Sequence, residues 1–175
     1  MTAQILNNST LTLRAVEVTD VDTMMAWEND SSQWDSTSTV APFSRKQLWD
    51  YAVTYDGDIY ASGSLRFIIV ENESGESAGT VDIYNFDKFH NRAYIGMYVA
   101  PGFRGKGYSE MAMKMVVKYC CEFLGMKQIA AEVATGNTTS IRMLTSCGFT
   151  KCGEMKCWFR RGKKYIDAAL MQYLS

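Results

Sequence analysis

Histidine, proline and paired cysteines are scarce in this 175-residue chain, and each scarcity excludes something. The two prolines leave no Pro-rich linker. The single histidine, His90, rules out a multi-histidine metal site, and a Ser-His-Asp triad would have no other histidine to use. The five cysteines are odd in number and form no C-x-x-C pair, which argues against a disulfide framework. We therefore expect reduced thiols, a cytoplasmic location and no bound metal.

Long apolar runs and an excess of positive charge are also missing. No stretch of 18 apolar residues occurs, so no membrane span is expected, and residues 1–9 are polar and resemble no targeting signal. Eighteen Lys and Arg against nineteen Asp and Glu give a net charge of −1, which argues against a DNA partner. The length and the 47% hydrophobic content predict one globular domain over residues 1–175.

Hydrophobic periodicity predicts the element order β, α, βββ, α, β, α, ββ. Helices are expected from a capping sequence at 19–22, from the glycine-rich segment to about Leu124, and over 137–146, with short helices and loops in 28–63. This order predicts a mixed α/β fold of the α+β type with a mainly antiparallel sheet. The predicted strands cover residues 10–15, 65–71, 78–84, 93–99, 128–134, 154–160 and 165–173.

The most informative segment is 99–109, V-A-P-G-F-R-G-K-G-Y-S, where a strand ends and a helix begins. Free backbone N–H groups at a helix N-terminus bind phosphate, helped by the helix dipole. Gly105 and Gly107 would let the backbone approach a ligand, and Arg104 and Lys106 add positive charge. The segment predicts a pyrophosphate loop; a glycine-rich turn required only for steric reasons is the alternative.

Two common phosphate loops do not fit this segment. A Walker A motif requires Ser or Thr after its lysine, but Gly107 follows Lys106. A Rossmann fingerprint requires glycine where Glu110 stands. The pattern R-x-x-G-x-[GA] does fit, with Ser109 at its last position.

That pattern is similar to the coenzyme A loop of the GCN5-related N-acetyltransferases, the GNAT superfamily. The segment 137–149 resembles the second signature of this family, N-x-x-[SA]-I-x-x-L-x-x-x-G-F. The Leu-Arg-Ala at 13–15, the Trp-Glu-Asn-Asp at 27–30 and Gly96 resemble the branch that acetylates ribosomal-protein N-termini and polyamines. The resemblance covers essentially the whole chain.

The family resemblance implies a fold and a co-substrate. The fold has six to seven strands and about four flanking helices, with a central strand pair that splays apart. Acetyl-CoA would lie in the splay, its pantetheine paired with the free strand edge and its pyrophosphate on the loop amides. Asn137 would contact pantetheine or simply cap its helix, and Tyr98 is alternatively a core aromatic. The implied cofactor-binding residues are Met97, Tyr98, Val99, Arg104, Gly105, Lys106, Gly107, Tyr108, Ser109 and Asn137.

The implied reaction is direct acetyl transfer to a primary amine in a ternary complex, and it calls for a base and an acid. The tyrosine that many family members use as the acid is replaced by Leu144, and Ser140 matches the serine proposed in the ribosomal-protein branch; an ordinary first-turn serine is the alternative. Asp82 is the candidate base, or a group that binds the cationic acceptor, or a solvent-facing strand residue. A glutamate found in some relatives is replaced by Tyr94. Glu132 and His90 are weaker candidates.

The acceptor is expected to be a polyamine-like small molecule or a protein N-terminus. Carboxylates and aromatic rings are frequent in 28–60, where the family builds its acceptor cleft, although scattered acids more often form a solvated face. The basic turn 160–164 would contact ribosomal RNA or only solvent. The resemblance implies a monomer or homodimer. An acyl-CoA-binding sensor or scaffold with little catalytic activity is the alternative function.

Overall fold

The computed structural model describes residues 5–32, 34 and 39–175, and they contain one seven-stranded sheet in the order β1-β2-β3-β4-β5-β7-β6. Neighbouring strands are antiparallel except β4 and β5, which are parallel. The mixed, mainly antiparallel sheet expected from the sequence is thereby confirmed. The strands are β1 Leu11–Ala15, β2 Leu65–Glu71, β3 Ser77–Asp87, β4 Arg92–Val99, β5 Gln128–Ala134, β6 Thr150–Arg161 and β7 Lys164–Leu174.

Five α-helices occur in the described ranges, in agreement with the expectation of about four. They are α1 Val21–Glu28, α2 Arg45–Thr54, α3 Ile59–Ser62, α4 Tyr108–Lys118 and α5 Thr138–Ser146. The predicted capping sequence at 19–22 was misplaced, because Glu17 and Asp20 form the box around a 3₁₀ turn, Val18–Asp20, that precedes α1. The long helix changes to a π-helix at Tyr119–Phe123, and Gly125 follows with φ +67°.

Two strands are longer than predicted because they contain bulges. The pairing of β3 with β4 shifts register between Tyr84 and Asp87, where Asn85 has φ 51°, and then continues. β6 begins at Thr150, before the predicted start at 154, and its pairing with β7 shifts register there, between Lys151 and Gly153, and again between Met155 and Phe159, with Cys157 at φ 53°. A bulge interrupts the alternation of apolar residues, so a period-two pattern ends early at such a point.

Helices cover both faces of the sheet. Ile69 of β2 belongs to the larger core cluster, with α4, α5 and Phe149, whereas its neighbour Ile68 packs with Met24 of α1 and Leu48 of α2. Successive strand residues point to opposite faces, so these two isoleucines mark the two layers. In the described part of the chain, no helix has the length and apolar character needed to cross a membrane.

The central strands separate after a short contact. β4 pairs with β5 only at Arg92, Ala93 and Tyr94, so the edge of β4 from Ile95 to Val99 is left open. On its other edge β4 remains paired with β3 through to Val99. The splayed strand pair expected from the sequence is present, and it opens toward the glycine-rich loop.

We expect a methyl group at Gly79 to destabilise this arrangement. Gly79 pairs with Val99, and an added Cβ would lie 2.1 Å from the carbonyl oxygen of Tyr98. Gly79→Ala should lower the free energy of unfolding by about 2 kcal/mol, measured by urea denaturation, because β3 must move away from β4. Gly153→Ala is the control, because its added Cβ has no neighbour within 4 Å. Equal stability of the two variants would contradict this account.

Candidate active site

The splay between β4 and β5 opens into a cleft of about 1210 Å³. One wall is the free edge of β4 and the facing segment of β5, and the glycine-rich loop closes one end. The opposite wall comes from β2, β3 and the region of α1 and α2. Residues that line it include Trp27, Glu28, Tyr51, Arg66, Asp82, Tyr84, Gly96, Met97, Tyr98, Val99, Arg104, Gly105, Gly107, Tyr108, Ser109, Glu132, Asn137, Ser140 and Arg161.

The loop before α4 has the conformation of an anion-binding turn. Gly105 and Gly107 both adopt φ +78°, a left-handed conformation that side chains other than glycine rarely take. Gly107 is the N-cap of α4, and no side chain of the described residues caps this helix. The amides of its first turn are therefore available to a ligand in the cleft.

Most predicted cofactor residues lie together around this loop. Met97, Tyr98 and Val99 form the open edge of β4, and the side chain of Arg104 donates from Nε to the carbonyl oxygen of Val99 over 2.9 Å. Tyr98 also contacts the ring of Trp27 at a centroid distance of 5.6 Å, and burial raises its pKa. Thus the β4 edge and the loop form one continuous surface of the cleft.

Lys106 differs from its neighbours, since it is absent from the cleft lining. Its Nζ lies 3.1 Å from Oε1 of Glu71, at the end of β2, and the same oxygen accepts a hydrogen bond from the hydroxyl of Tyr108. Ser74 donates to the other carboxylate oxygen over 2.7 Å. Hydrogen bonds from Tyr108, Ser74 and Lys106 lower the pKa of Glu71 to about 2.

Asn137 and Ser140 come together at the start of α5. The Oδ1 atom of Asn137 accepts a hydrogen bond from the amide of Ser140 over 3.1 Å, so Asn137 is the N-cap of this helix while it also lines the cleft. Ser140 is half-buried and lines the cleft. Leu144, one turn further, is only 2% exposed and packs in the core.

Asp82 lies in the cleft wall but is bound to a cation. Arg66 of β2 donates from Nε to Asp82 Oδ1 over 2.6 Å and from Nη2 to Oδ2 over 3.2 Å. Its Nη1 donates to Glu28 Oε1 over 2.6 Å. Burial alone would lower the pKa of Arg66, but Asp82 and Glu28 outweigh burial and raise it. The guanidinium therefore stays charged and holds both carboxylates in place.

Glu132 of β5 has a different partner. The indole nitrogen of Trp158 donates to Glu132 Oε2 over 2.8 Å. Trp158 follows Cys157, whose amide donates to Asp167 Oδ1 over 2.9 Å within the β6 bulge. Nearby Tyr84 has its pKa raised to about 12, mainly by burial and then by the charge of Glu132. Among the carboxylates that line the cleft, Glu132 is hydrogen-bonded to a neutral donor, whereas Glu28 and Asp82 bind a cation.

The other predicted residues lie elsewhere or only partly in the site. His90 is exposed in the turn between β3 and β4, where its amide donates to Asp87. Asp35, in the acidic stretch 28–60, lies outside the described residues. In the basic turn 160–164, Arg161 lines the cleft while the others are exposed. No group of His, Cys, Asp and Glu in the part of the chain that is described could hold a metal ion.

Sequence reasoning missed Arg66 and Arg161 as cleft residues, and it missed Trp158 as the hydrogen-bond partner of Glu132. An arginine inside the apolar strand 65–71 was the available signal, because a charge there needs a partner on a neighbouring strand. Arg66 pairs in register with Asp82, the other charged residue in mid-strand. Trp158 gave no comparable signal, since its direction depends on the β6 bulge.

Comparison with known proteins is consistent with this geometry. Residues 10–150 match a family model described as an acetyltransferase (GNAT) domain. A spermidine N(1)-acetyltransferase of Vibrio cholerae is 25% identical over 170 residues, which cover 95% of this chain and 94% of that protein.

Solved structures show the same fold. The structure of spermidine N-acetyltransferase from Vibrio cholerae in complex with CoA and spermine superposes with a TM-score of 0.81 at 22% identity, covering 95% of this chain and 96% of that one. A dodecameric structure of the Vibrio cholerae enzyme has a TM-score of 0.79 at 25% identity, with 95% of each chain covered. The assembly of that relative differs from the monomer or homodimer that we expected here.

Proposed function

Because the chain belongs to the GNAT acetyltransferase family and transfers an acetyl group from acetyl-CoA to an amine, we propose that its acceptor is a polyamine. The observation that carries this proposal is the set of three carboxylates, Glu28, Asp82 and Glu132, in one cleft beside the open edge of β4. The Vibrio cholerae relative, whose structure was solved with spermine, supports the same acceptor class.

The balance of charge in the acceptor part of the cleft favours a cation. Arg104 belongs to the glycine-rich loop at one end of the cleft; away from that loop, three carboxylates line the cleft with two guanidinium groups, Arg66 and Arg161, which leaves a net negative charge. The rings of Trp27 and Tyr51 add aromatic surface on which an alkylammonium chain can lie. Tyr51 has its pKa raised to about 12, chiefly by burial, so its ring stays uncharged.

We place coenzyme A along the free edge of β4. Its pantetheine would pair with the backbone of Met97, Tyr98 and Val99, and Asn137 would reach the same arm from α5. The pyrophosphate would lie on the amides of residues 104–109. The backbone amide after the splay would donate to the thioester carbonyl oxygen, where negative charge develops as the amine attacks.

The chemical roles follow from the partners of each side chain. The amine nitrogen attacks the thioester carbon, the C–S bond breaks, and the proton of the amine must leave. We assign that proton to Glu132, directly or through water, because Arg66 already holds Asp82. Asp82 then acts with Glu28 in binding the cationic acceptor. Ser140 donates a hydrogen bond to the leaving thiolate.

An acceptor assay tests the function as a whole. Thiol release from acetyl-CoA should be fastest with spermidine or spermine, slower with basic N-terminal peptides and slowest with aminoglycosides, because a linear polyamine can place successive ammonium groups beside the carboxylates of the cleft. A faster reaction with peptides would overturn the polyamine proposal. Tight binding of acetyl-CoA in calorimetry, without thiol release for any amine, would instead favour an acyl-CoA sensor.

Glu28→Gln should raise KM for spermidine about tenfold and leave KM for acetyl-CoA unchanged.

The roles of Glu132 and Ser140 can be separated by kinetics. Glu132→Gln should lower kcat about 100-fold at pH 7, an effect typical of removing a general base. Raising the pH should restore part of the rate, because more of the free amine is then deprotonated. Asp82→Asn should act mainly on KM for the amine. Ser140→Ala should lower kcat about tenfold with no pH recovery, as a lost hydrogen bond to a charged group predicts. A pH profile of Glu132→Gln identical to that of the parent enzyme would contradict the assignment.

The proposal also includes the domain organisation and the cellular location of the enzyme. We propose that residues 1–175 form one N-acetyltransferase domain in the cytoplasm, since one sheet spans the described residues and all five cysteines are free thiols.

The dodecameric relative supports an assembly larger than a dimer. Size-exclusion chromatography with light scattering at micromolar concentration should give a mass well above two chains. A monomer or dimer would contradict this expectation.

A further inference from the structure

Glu71 joins three parts of the molecule behind the glycine-rich loop. Its side chain is only 12% exposed and accepts hydrogen bonds from Lys106, Tyr108 and Ser74. The first two donors belong to the loop and the start of α4, and the third belongs to the turn between β2 and β3. The same turn is fixed through the backbone, where the amide of Gly75 donates to the carbonyl oxygen of Glu71 over 2.8 Å.

The position of Lys106 is determined on more than one side. Besides its contact with Glu71, its Nζ lies 5.1 Å from the ring centroid of Phe103 and 5.5 Å from that of Tyr108. Both rings attract a cation by their negative faces. Lys106 is consequently held against the back of the loop, and its charge is balanced by a carboxylate before any ligand binds.

The two loop contacts of Glu71 flank Gly107. Lys106 precedes that glycine and Tyr108 follows it, so one carboxylate fixes the chain on both sides of a residue at φ +78°. Gly107 is also the N-cap, where the backbone turns into α4. Fixing both neighbours restricts the direction in which the amides at this turn point.

We infer that Glu71 is a positioning residue for acetyl-CoA, and that it holds the loop in its phosphate-binding shape through Lys106 and Tyr108 without touching the ligand. This inference rests on the proposed placement of coenzyme A. A loop that is ordered before binding loses less conformational freedom when the ligand arrives, so affinity rises without any new contact. Lys106 then stabilises the loop, whereas Arg104 and the backbone amides bind the phosphates.

Simple electrostatics predicts the opposite effect for this residue. A carboxylate near a pyrophosphate repels it, and if Lys106 contacted the phosphates itself, Glu71 would only compete for that lysine. Removing the charge of Glu71 would then tighten the binding of acetyl-CoA. The direction of the change in affinity therefore separates a positioning role from a competing charge.

The test is Glu71→Gln in the full chain. Calorimetry should show a dissociation constant for CoA about tenfold higher than that of the parent, and KM for acetyl-CoA should rise by a similar factor. The kcat at saturating acetyl-CoA should change less than twofold, since no group at the reacting atoms is altered. Glu71→Asp should recover part of the affinity. Unchanged or tighter binding in Glu71→Gln would overturn the inference.

Two further variants make the comparison specific. Glu73→Gln removes an exposed charge from the same turn and should leave CoA affinity unchanged, which controls for net charge. Lys106→Gln should weaken CoA binding, but less than Glu71→Gln, because Glu71 also holds Tyr108. The double variant should lose no more affinity than Glu71→Gln alone, because Lys106 acts through its contact with Glu71. Additive losses would show that Lys106 acts on the ligand by itself.

A last variant distinguishes failure of this inference from failure of the placement on which it rests. Gly107→Glu should abolish CoA binding if the pyrophosphate lies on these amides. If Gly107→Glu abolishes binding and Glu71→Gln does not weaken it, the loop binds coenzyme A and Glu71 has no positioning role. If neither variant changes the affinity, both the placement and the role of Glu71 are wrong. A melting curve for each variant excludes global unfolding.

Discussion

The early separation of β4 from β5 is the constraint on which the rest of the site depends. After three residue pairs the two parallel strands part, and β4 remains paired with β3 as far as Val99. A strand edge inside a protein normally finds a partner, because unpaired backbone groups are costly to bury. Here the unpaired N–H and C=O groups face a cleft, where a ligand with amide groups of its own can complete the ladder. The same divergence gives room for the loop at the end of β4.

Each carboxylate that lines the cleft is held by a specific hydrogen-bond donor. Arg66 binds two carboxylates at once, and removing it would leave both half-buried without a cation. Such a network keeps side chains in fixed positions, which suits a wall that must present negative charge to an amine. Glu132, on β5, is oriented by an indole N–H instead. The carboxylates thus differ in their hydrogen-bond partners, although they share one cleft.

The sequence was most informative where function depends on local chain geometry. The glycines at 105 and 107 and the cap at Asn137 act within a few residues of themselves, so a short pattern sufficed to find them. The splay came from the family resemblance. The partners of Asp82 and Lys106 could not be predicted, because both contacts depend on the tertiary structure. Arg66 lies beside Asp82 because of the register between β2 and β3. Glu71 lies beside Lys106 because the loop before α4 packs against the end of β2. Charge near a glycine-rich loop suggested ligand contact, whereas Lys106 contacts the protein.

The replacement of a tyrosine by Leu144 limits what an acid can do in this enzyme. Leu144 is buried in the core, so its position offers no hydroxyl to the departing sulfur. Ser140 offers a hydroxyl at the start of α5, but a serine hydroxyl is a far weaker acid than a thiol, whose pKa is about 8.5. Complete proton transfer from Ser140 to the thiolate would therefore run uphill. A hydrogen bond from Ser140, together with the N-terminal dipole of α5, stabilises the thiolate without that cost. Near pH 7 water can supply the proton after the C–S bond has broken, so the loss of the tyrosine does not require the loss of catalysis.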